Sequence, residues 1–179
     1  MRLQPWHRVR RFVAALRPSG PADVDLDWAR SLLSASEYDL LTALPPVDQA
    51  HVVRVARSVE RTLRASTGPT PDRSWLLPAA LLHDVGKLDA PLAPVGRAVV
   101  TVVVWAGGRS WAANRQDASG WLGAAARYAT YPERGAHLLT SVGSDARVAA
   151  WAREHHLPPE RWTVPAADGA LLAGADDEA

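Results

Sequence analysis

An apolar run that ends in two ionisable side chains constrains this chain more than any other feature. In AALLHDVGKLD (79–89), Ala79, Ala80, Leu81 and Leu82 lead directly into His83–Asp84, and Gly86 and Lys87 follow. An apolar helix carries its end into the interior, where an unpaired carboxylate or imidazolium costs several kcal/mol, about 2–7 even for a neutral polar group. The fold must therefore bring compensating groups from other segments to this point. A divalent cation is one such compensator, because both residue types are strong metal ligands.

The rest of the chain bounds the chemistry. There are no cysteines among 179 residues, so disulfides and thiolate metal sites are excluded and any metal must use His, Asp or Glu. That absence also fits a reducing, cytoplasmic setting. The formal net charge is +1, which gives no global field toward nucleic acid or membrane. The longest apolar stretch, AVVTVVVWA (98–106), is far short of the ~20 residues of a membrane span, and the basic N-terminus lacks a signal-peptide core. Lys87 is the single lysine against 19 arginines, and it stands beside the His–Asp pair.

Periodicity predicts a single all-α domain over 1–179, with residues 1–20 as an N-terminal arm or helix closed by Pro18-Ser19-Gly20. Asp27 is read as the cap of a helix running to Leu33. Ser34 or Ser36 caps the next helix, SEYDLLTAL, which Pro45-Pro46 stops. The clearest amphipathic helix is VDQAHVVRVARSVERTLRAS (47–66): Val52, Val55, Ala56, Val59 and Leu63 form the apolar face. Arg54, Arg57, Arg61 and Arg64 form a solvated stripe with Glu60 as a partner, and Arg54, one turn from His51, is the member placed to meet a phosphate. After the loop 67–73 comes the helix SWLLPAALLHD (74–84), and DAPLAP (89–94) is a loop. Residues 98–105 are valine-rich and favour a strand locally. With no second strand to pair with, they are read as a buried or inserted helix broken at Gly107-Gly108. Helices are expected over 120–129, 132–141, 145–155 and 165–176, joined by short loops that favour antiparallel packing. The tryptophans read as packing residues rather than a base-stacking platform.

Packed this way, helices carrying His51, His83–Asp84 and the C-terminal ADDEA can converge on one point. His155–His156 lies at another helix end, before Leu157-Pro158-Pro159. His7 falls in the basic arm with Arg8, Arg10 and Arg11, and His137 in RGAHLL has no fixed direction. A mixed His and Asp set accepts Mn, Fe, Mg, Co, Ni or Zn, so the sequence does not choose the metal.

At these residues the chain resembles the HD-domain superfamily of metal-dependent phosphohydrolases. The H…HD…D pattern is met by His51, His83–Asp84 and Asp176, over residues 47–177 with an insertion at 88–128. HDVGK is similar to the family's HDIGK or HDLGK, and DQAHVVRVAR to its first-histidine helix. EHHLPPERW is similar to the paired-histidine segment of the HD-GYP branch. The resemblance implies an all-helical bundle with the metal between its central helices, bound by His51, His83, Asp84 and Asp176. Asp176 best matches the family's Ala-Asp, ahead of Asp177 and Asp168. It further implies hydrolysis of a phosphoester or phosphoanhydride, of a nucleotide or another small phosphorylated metabolite. Asp84 and Lys87 would be catalytic, and His155 and His156, with Arg54, would bind substrate or a second metal. Two departures bear on this. Tyr131 in YPERGAHLL stands where the branch has histidine, which weighs against a second metal. No Gly-Tyr-Pro follows His155–His156, which removes support for cyclic-dinucleotide hydrolysis. The alternative is a catalytically silent regulatory or interaction domain that keeps the fold, perhaps with a structural metal and a protein partner. In either case a monomer or weak dimer is expected.

Overall fold

The structure is a computed structural model that describes residues 20–66, 72–89 and 117–179, with positions 96, 99, 100, 112 and 115. The described residues are all-helical, as expected. They form α1 (Asp23–Leu32), α2 (Ala35–Ala43), α3 (Pro46–Ala65), α4 (Leu76–Leu82), α5 (Gly120–Ala129), α6 (Tyr131–Ser141), α7 (Ala146–Glu154) and α8 (Ala166–Glu178). Short 3₁₀ turns span Val85–Asp89 and Pro159–Arg161.

The helix α4 is the hub. Leu76, Ala79, Ala80, Leu81 and Leu82 are all fully buried. A helix apolar all round has no solvent face to present, so it is enclosed. It packs against α3, α7, α1, α2 and α8. The apolar face of α3, with Val52, Val55, Ala56 and Val59, lies in the same core, together with Trp75, Trp151, Leu139 and Leu172. The arginine stripe of α3 is tied down as the sequence suggests. Glu60 accepts from Arg57 at 3.0 Å and from Arg64 at 2.8 Å. Arg57 also pairs with Asp25 of α1 at 2.8 Å and stacks over Trp28 at 3.6 Å, fastening α1 to α3.

Local chemistry sets the helix boundaries. Ser34 caps α2 in a full capping box, its side chain accepting from the Glu37 amide while Glu37 accepts from the Ser34 amide. Ser34, rather than Ser36, is therefore the cap. The first helix departs from expectation: it starts at Asp23, not after Asp27, and ends at Leu32. Asp23 and Asp25 occupy its first turn, where the helix dipole favours negative charge, so the helix extends back to the extended residue Ala22. Asp27 lies exposed mid-helix. The C-terminal helix runs two residues further than expected, to Glu178, so Asp176 sits within it.

The expected arm with His7, Arg8, Arg10 and Arg11 lies outside the described residues, as do 67–71 of the loop and most of 90–116. Val99 and Val100 are helical, and Val100 is buried with Ala112 against Ala125, Ala126 and Ala129 of α5. The remainder of the helix expected over 98–105, and the break at Gly107-Gly108, lie outside the described residues. Among the described residues, no helix is long and apolar enough to cross a membrane.

Candidate metal centre

Five helices deliver polar side chains to one region of this apolar bundle. His51 projects from the first half of α3, His83 and Asp84 follow the last turn of α4, and Asp176 lies on α8. His51 Nε2 is 3.0 Å from Asp176 Oδ1 and 4.0 Å from Asp84 Oδ2. His83 Nε2 is 3.7 Å from Asp84 Oδ2 and 3.7 Å from Asp176 Oδ1. The four residues that the resemblance implies as ligands are thus brought together. Asp177 is exposed beside them, and Asp168 instead pairs with Arg73 at 3.0 Å. The site is graded from interior to surface: the side chains of His83 and Asp84 are 2 % exposed, those of His51 and Asp176 26 % and 28 %.

The helix ends determine which imidazole nitrogen faces the centre. Carbonyls in the last turn of a helix lack backbone partners. Ala80 O, one such carbonyl, lies 2.9 Å from His83 Nδ1. At the end of α7, Ala152 O lies 2.9 Å from His155 Nδ1 in the same arrangement. A carbonyl only accepts, so in each neutral ring Nδ1 carries the hydrogen and Nε2 presents a bare lone pair. An imidazole held this way, with its other nitrogen donating to the backbone, is oriented as metal-ligating histidines are.

The His83 lone pair faces the Asp84 and Asp176 carboxylate oxygens at 3.7 Å, an arrangement that positive charge between them relieves. Donors about 2.0–2.2 Å from a cation stand roughly 3–4 Å from one another around it. The spacings above match. His51, His83 and Asp176 form one set able to hold a metal ion, and His83, Asp84 and His155 a second, each with its ligand atoms within 4.8 Å of one another. Buried His and Asp groups that could hold a metal are therefore present, and the donor types fit a divalent cation without naming one.

The groups around Asp84 keep it ionised. Burial alone would raise its carboxyl, but His83, Lys87 and His155 hold it well below the ordinary carboxylate range. Lys87, in the 3₁₀ turn, donates Nζ to Asp84 Oδ2. Burial works against its charge, yet Asp84, with Tyr128 and the buried Asp48, raises its pKa above the ordinary value. Burial would also raise Asp176, but a hydrogen bond from His51 and the nearby His83 lower it.

Tyr131, the first residue of α6, is buried in the same region, with its Oη 3.1 Å from His155 Nε2 and 2.6 Å from His156 Nε2. Burial, then the Asp84 charge, push its phenol well above the ordinary value, so it stays protonated. From the sequence, Tyr131 reads only as a missing histidine. The structure makes it the connector of the histidine pair, and no local signal in YPERGAHLL announces that. Asp48 was also missed, although its place one turn before His51 in VDQAH was available. Glu154, buried beside the pair, accepts from the Thr163 amide at 2.6 Å and fastens the segment that follows His155–His156. Arg54 is exposed and donates Nε to Ala179 O at 3.2 Å. His137 is exposed on α6.

These shifts set an acid limit on the metal-free protein. Burial, with His83 and His156 nearby, holds the His155 pKa well below its ordinary value. Its unfolded form binds a proton near pH 6.5 while the folded form does not, so stability is full above that pH and is lost as pH falls toward the folded value. Urea unfolding in EDTA should show this loss beginning at about pH 6.5, and His155→Gln should flatten that limb. Asp84 and Asp176, also depressed, should add a second loss below about pH 4.

Comparison of the chain with protein families, with curated proteins and with solved structures finds no match.

Proposed function

We propose that this protein is a divalent-metal-dependent hydrolase of small phosphoesters or phosphoanhydrides, working in the manner of the HD-domain phosphohydrolases. One observation carries the reading: His83 Nε2, turned inward by the contact of Nδ1 with Ala80 O, faces both Asp84 and Asp176 at 3.7 Å, with His51 Nε2 3.0 Å from Asp176. In this reading His51, His83, Asp84 and Asp176 hold the cation. Bound there, a divalent cation supplies Lewis acidity toward a phosphoryl oxygen and lowers the pKa of a water.

The chain's own groups suit the remaining work. Asp84, kept ionised, is placed to orient a water by accepting its proton in a hydrogen bond. Lys87 Nζ, on the same carboxylate, can turn its remaining hydrogens toward charge that builds on a phosphoryl oxygen. Tyr131, His155 and His156 line the opposite side. The more exposed His51 and Asp176 leave an approach for a small phosphorylated substrate from the α3–α8 side.

A screen of nucleotides and sugar phosphates with Mn, Fe, Co, Ni, Mg and Zn supplied in turn tests this. Turnover is expected with at least one metal, and a fall of more than about 100-fold in His83→Ala. Absence of turnover across the screen would overturn the reading. It would favour a silent regulatory domain, a second reading supported by Lys87 being already paired with Asp84.

A further inference from the structure

The two cation-binding sets share His83, whose Nε2 has only one lone pair. They are therefore alternatives, or parts of one larger shell, and the difference between them is whether His155 takes part. Three observations bear on His155. Its Nδ1–H is donated to Ala152 O at 2.9 Å, so its Nε2 can only accept. Tyr131 Oη lies 3.1 Å from that Nε2, so a hydrogen bond between them runs from the phenol, whose one hydrogen also has the Asp84 carboxylate within reach. When the phenol hydrogen turns to His155, His156 Nε2, 2.6 Å from the same oxygen, is its donor, and the run is His156 Nε2–H to Tyr131 Oη–H to His155 Nε2. The phenol is held there by its backbone: the Tyr131 carbonyl rests against Gly86, and its ring lies 5.3 Å from the Lys87 ammonium.

Resting on the metal-site reading above, we propose that Tyr131 is a positioning residue that keeps His155 out of the coordination shell by occupying its Nε2 lone pair. The cation is thereby confined to His51, His83, Asp84 and Asp176, and the face toward His155 stays open for water or substrate. With the phenol removed, His155 Nε2, 4.0 Å from Asp84 Oδ1, is free to enter the shell.

Cobalt(II) titration of the full chain tests this, read by affinity and by visible d–d absorption, which reports coordination geometry. Wild type and His155→Ala should bind cobalt with affinities within about 3-fold and with superimposable spectra. Tyr131→Phe should bind at least about 10-fold more tightly with an altered spectrum, and the gain should vanish in the Tyr131→Phe/His155→Ala double variant. A 10-fold or greater loss in His155→Ala alone, or an unchanged spectrum in folded Tyr131→Phe, would overturn the proposal. The His155→Ala arm decides by itself if Tyr131→Phe fails to fold. Cobalt binding that is abolished by His83→Ala would leave the metal-site reading standing even then. No cobalt binding by the wild type would overturn both.

Discussion

His83→Ala is expected to lose its cation, with affinity falling by more than about 100-fold, while His137→Ala binds as the wild type does. His83 is the one residue common to both donor sets. Its ring is held by Ala80 O with the lone pair inward, so no rotation of a neighbour replaces it. His137, on the exposed face of α6, serves as the control. Elemental analysis of the purified proteins reads the loss directly. Thermal unfolding reads it a second way: a cation at ~1,000 times its dissociation constant stabilises the folded state by about 4 kcal/mol. For a chain of this size that is a rise of roughly 8–16 °C in Tm. The rise should be absent in His83→Ala, and a full rise in that variant would show that the cation binds elsewhere.

Gly86→Ala carries the largest expected effect on folding. A Cβ at Gly86 would stand 1.8 Å from the Tyr131 carbonyl oxygen and 2.8 Å from the Gly135 amide nitrogen. Both are backbone atoms of α6, so no side chain can swing aside, and the 3₁₀ turn and α6 must separate. The cost is expected to be at least about 3 kcal/mol, a fall of roughly 6–12 °C in Tm. The same separation shifts Tyr131 relative to His155. Gly174→Ala is the counterpart: its Cβ meets nothing within 4 Å on α8, and exchanging glycine for alanine in a helix gains up to about 1 kcal/mol. Equal effects of the two substitutions would refute the packing argument. The glycine of HDVGK is thus a contact point between the His–Asp turn and the helix that carries Tyr131.

Much of this was legible in the chain, for reasons that can be named residue by residue. The α3 helix announces itself through Val52, Val55, Ala56 and Val59, because a repeat near 3.6 residues is a local property. The ends of α2 follow from Ser34 and from Pro45-Pro46, since caps and breakers act over three or four residues. The start of α1 was misread because several acidic residues compete there: Asp27 is a plausible cap in isolation, but Asp23 and Asp25 already sit favourably in an earlier first turn. The candidate ligands were legible for a different reason. An apolar run such as 79–82 ending in His83–Asp84 is costly unless other segments compensate it, and the resemblance to the H…HD…D pattern implied His51 and Asp176 as the partners.

What the sequence determined, then, is local: where the helices run, which face of each is apolar, and that His83–Asp84 must find charge or metal in the interior. The tertiary structure alone decided the pairings. The docking of α8 on α3 brings Asp176 to His51, whereas Asp168 goes to Arg73 and Asp177 to solvent. The approach of α6 to Gly86 places Tyr131 between His155 and His156, although the pair lies more than twenty residues away in sequence. Helix formation depends on neighbours a few residues apart, which the order of residues records. Which lone pair meets which proton or cation depends on the separation and rotation of packed helices, set by the combined volumes of side chains from all of them.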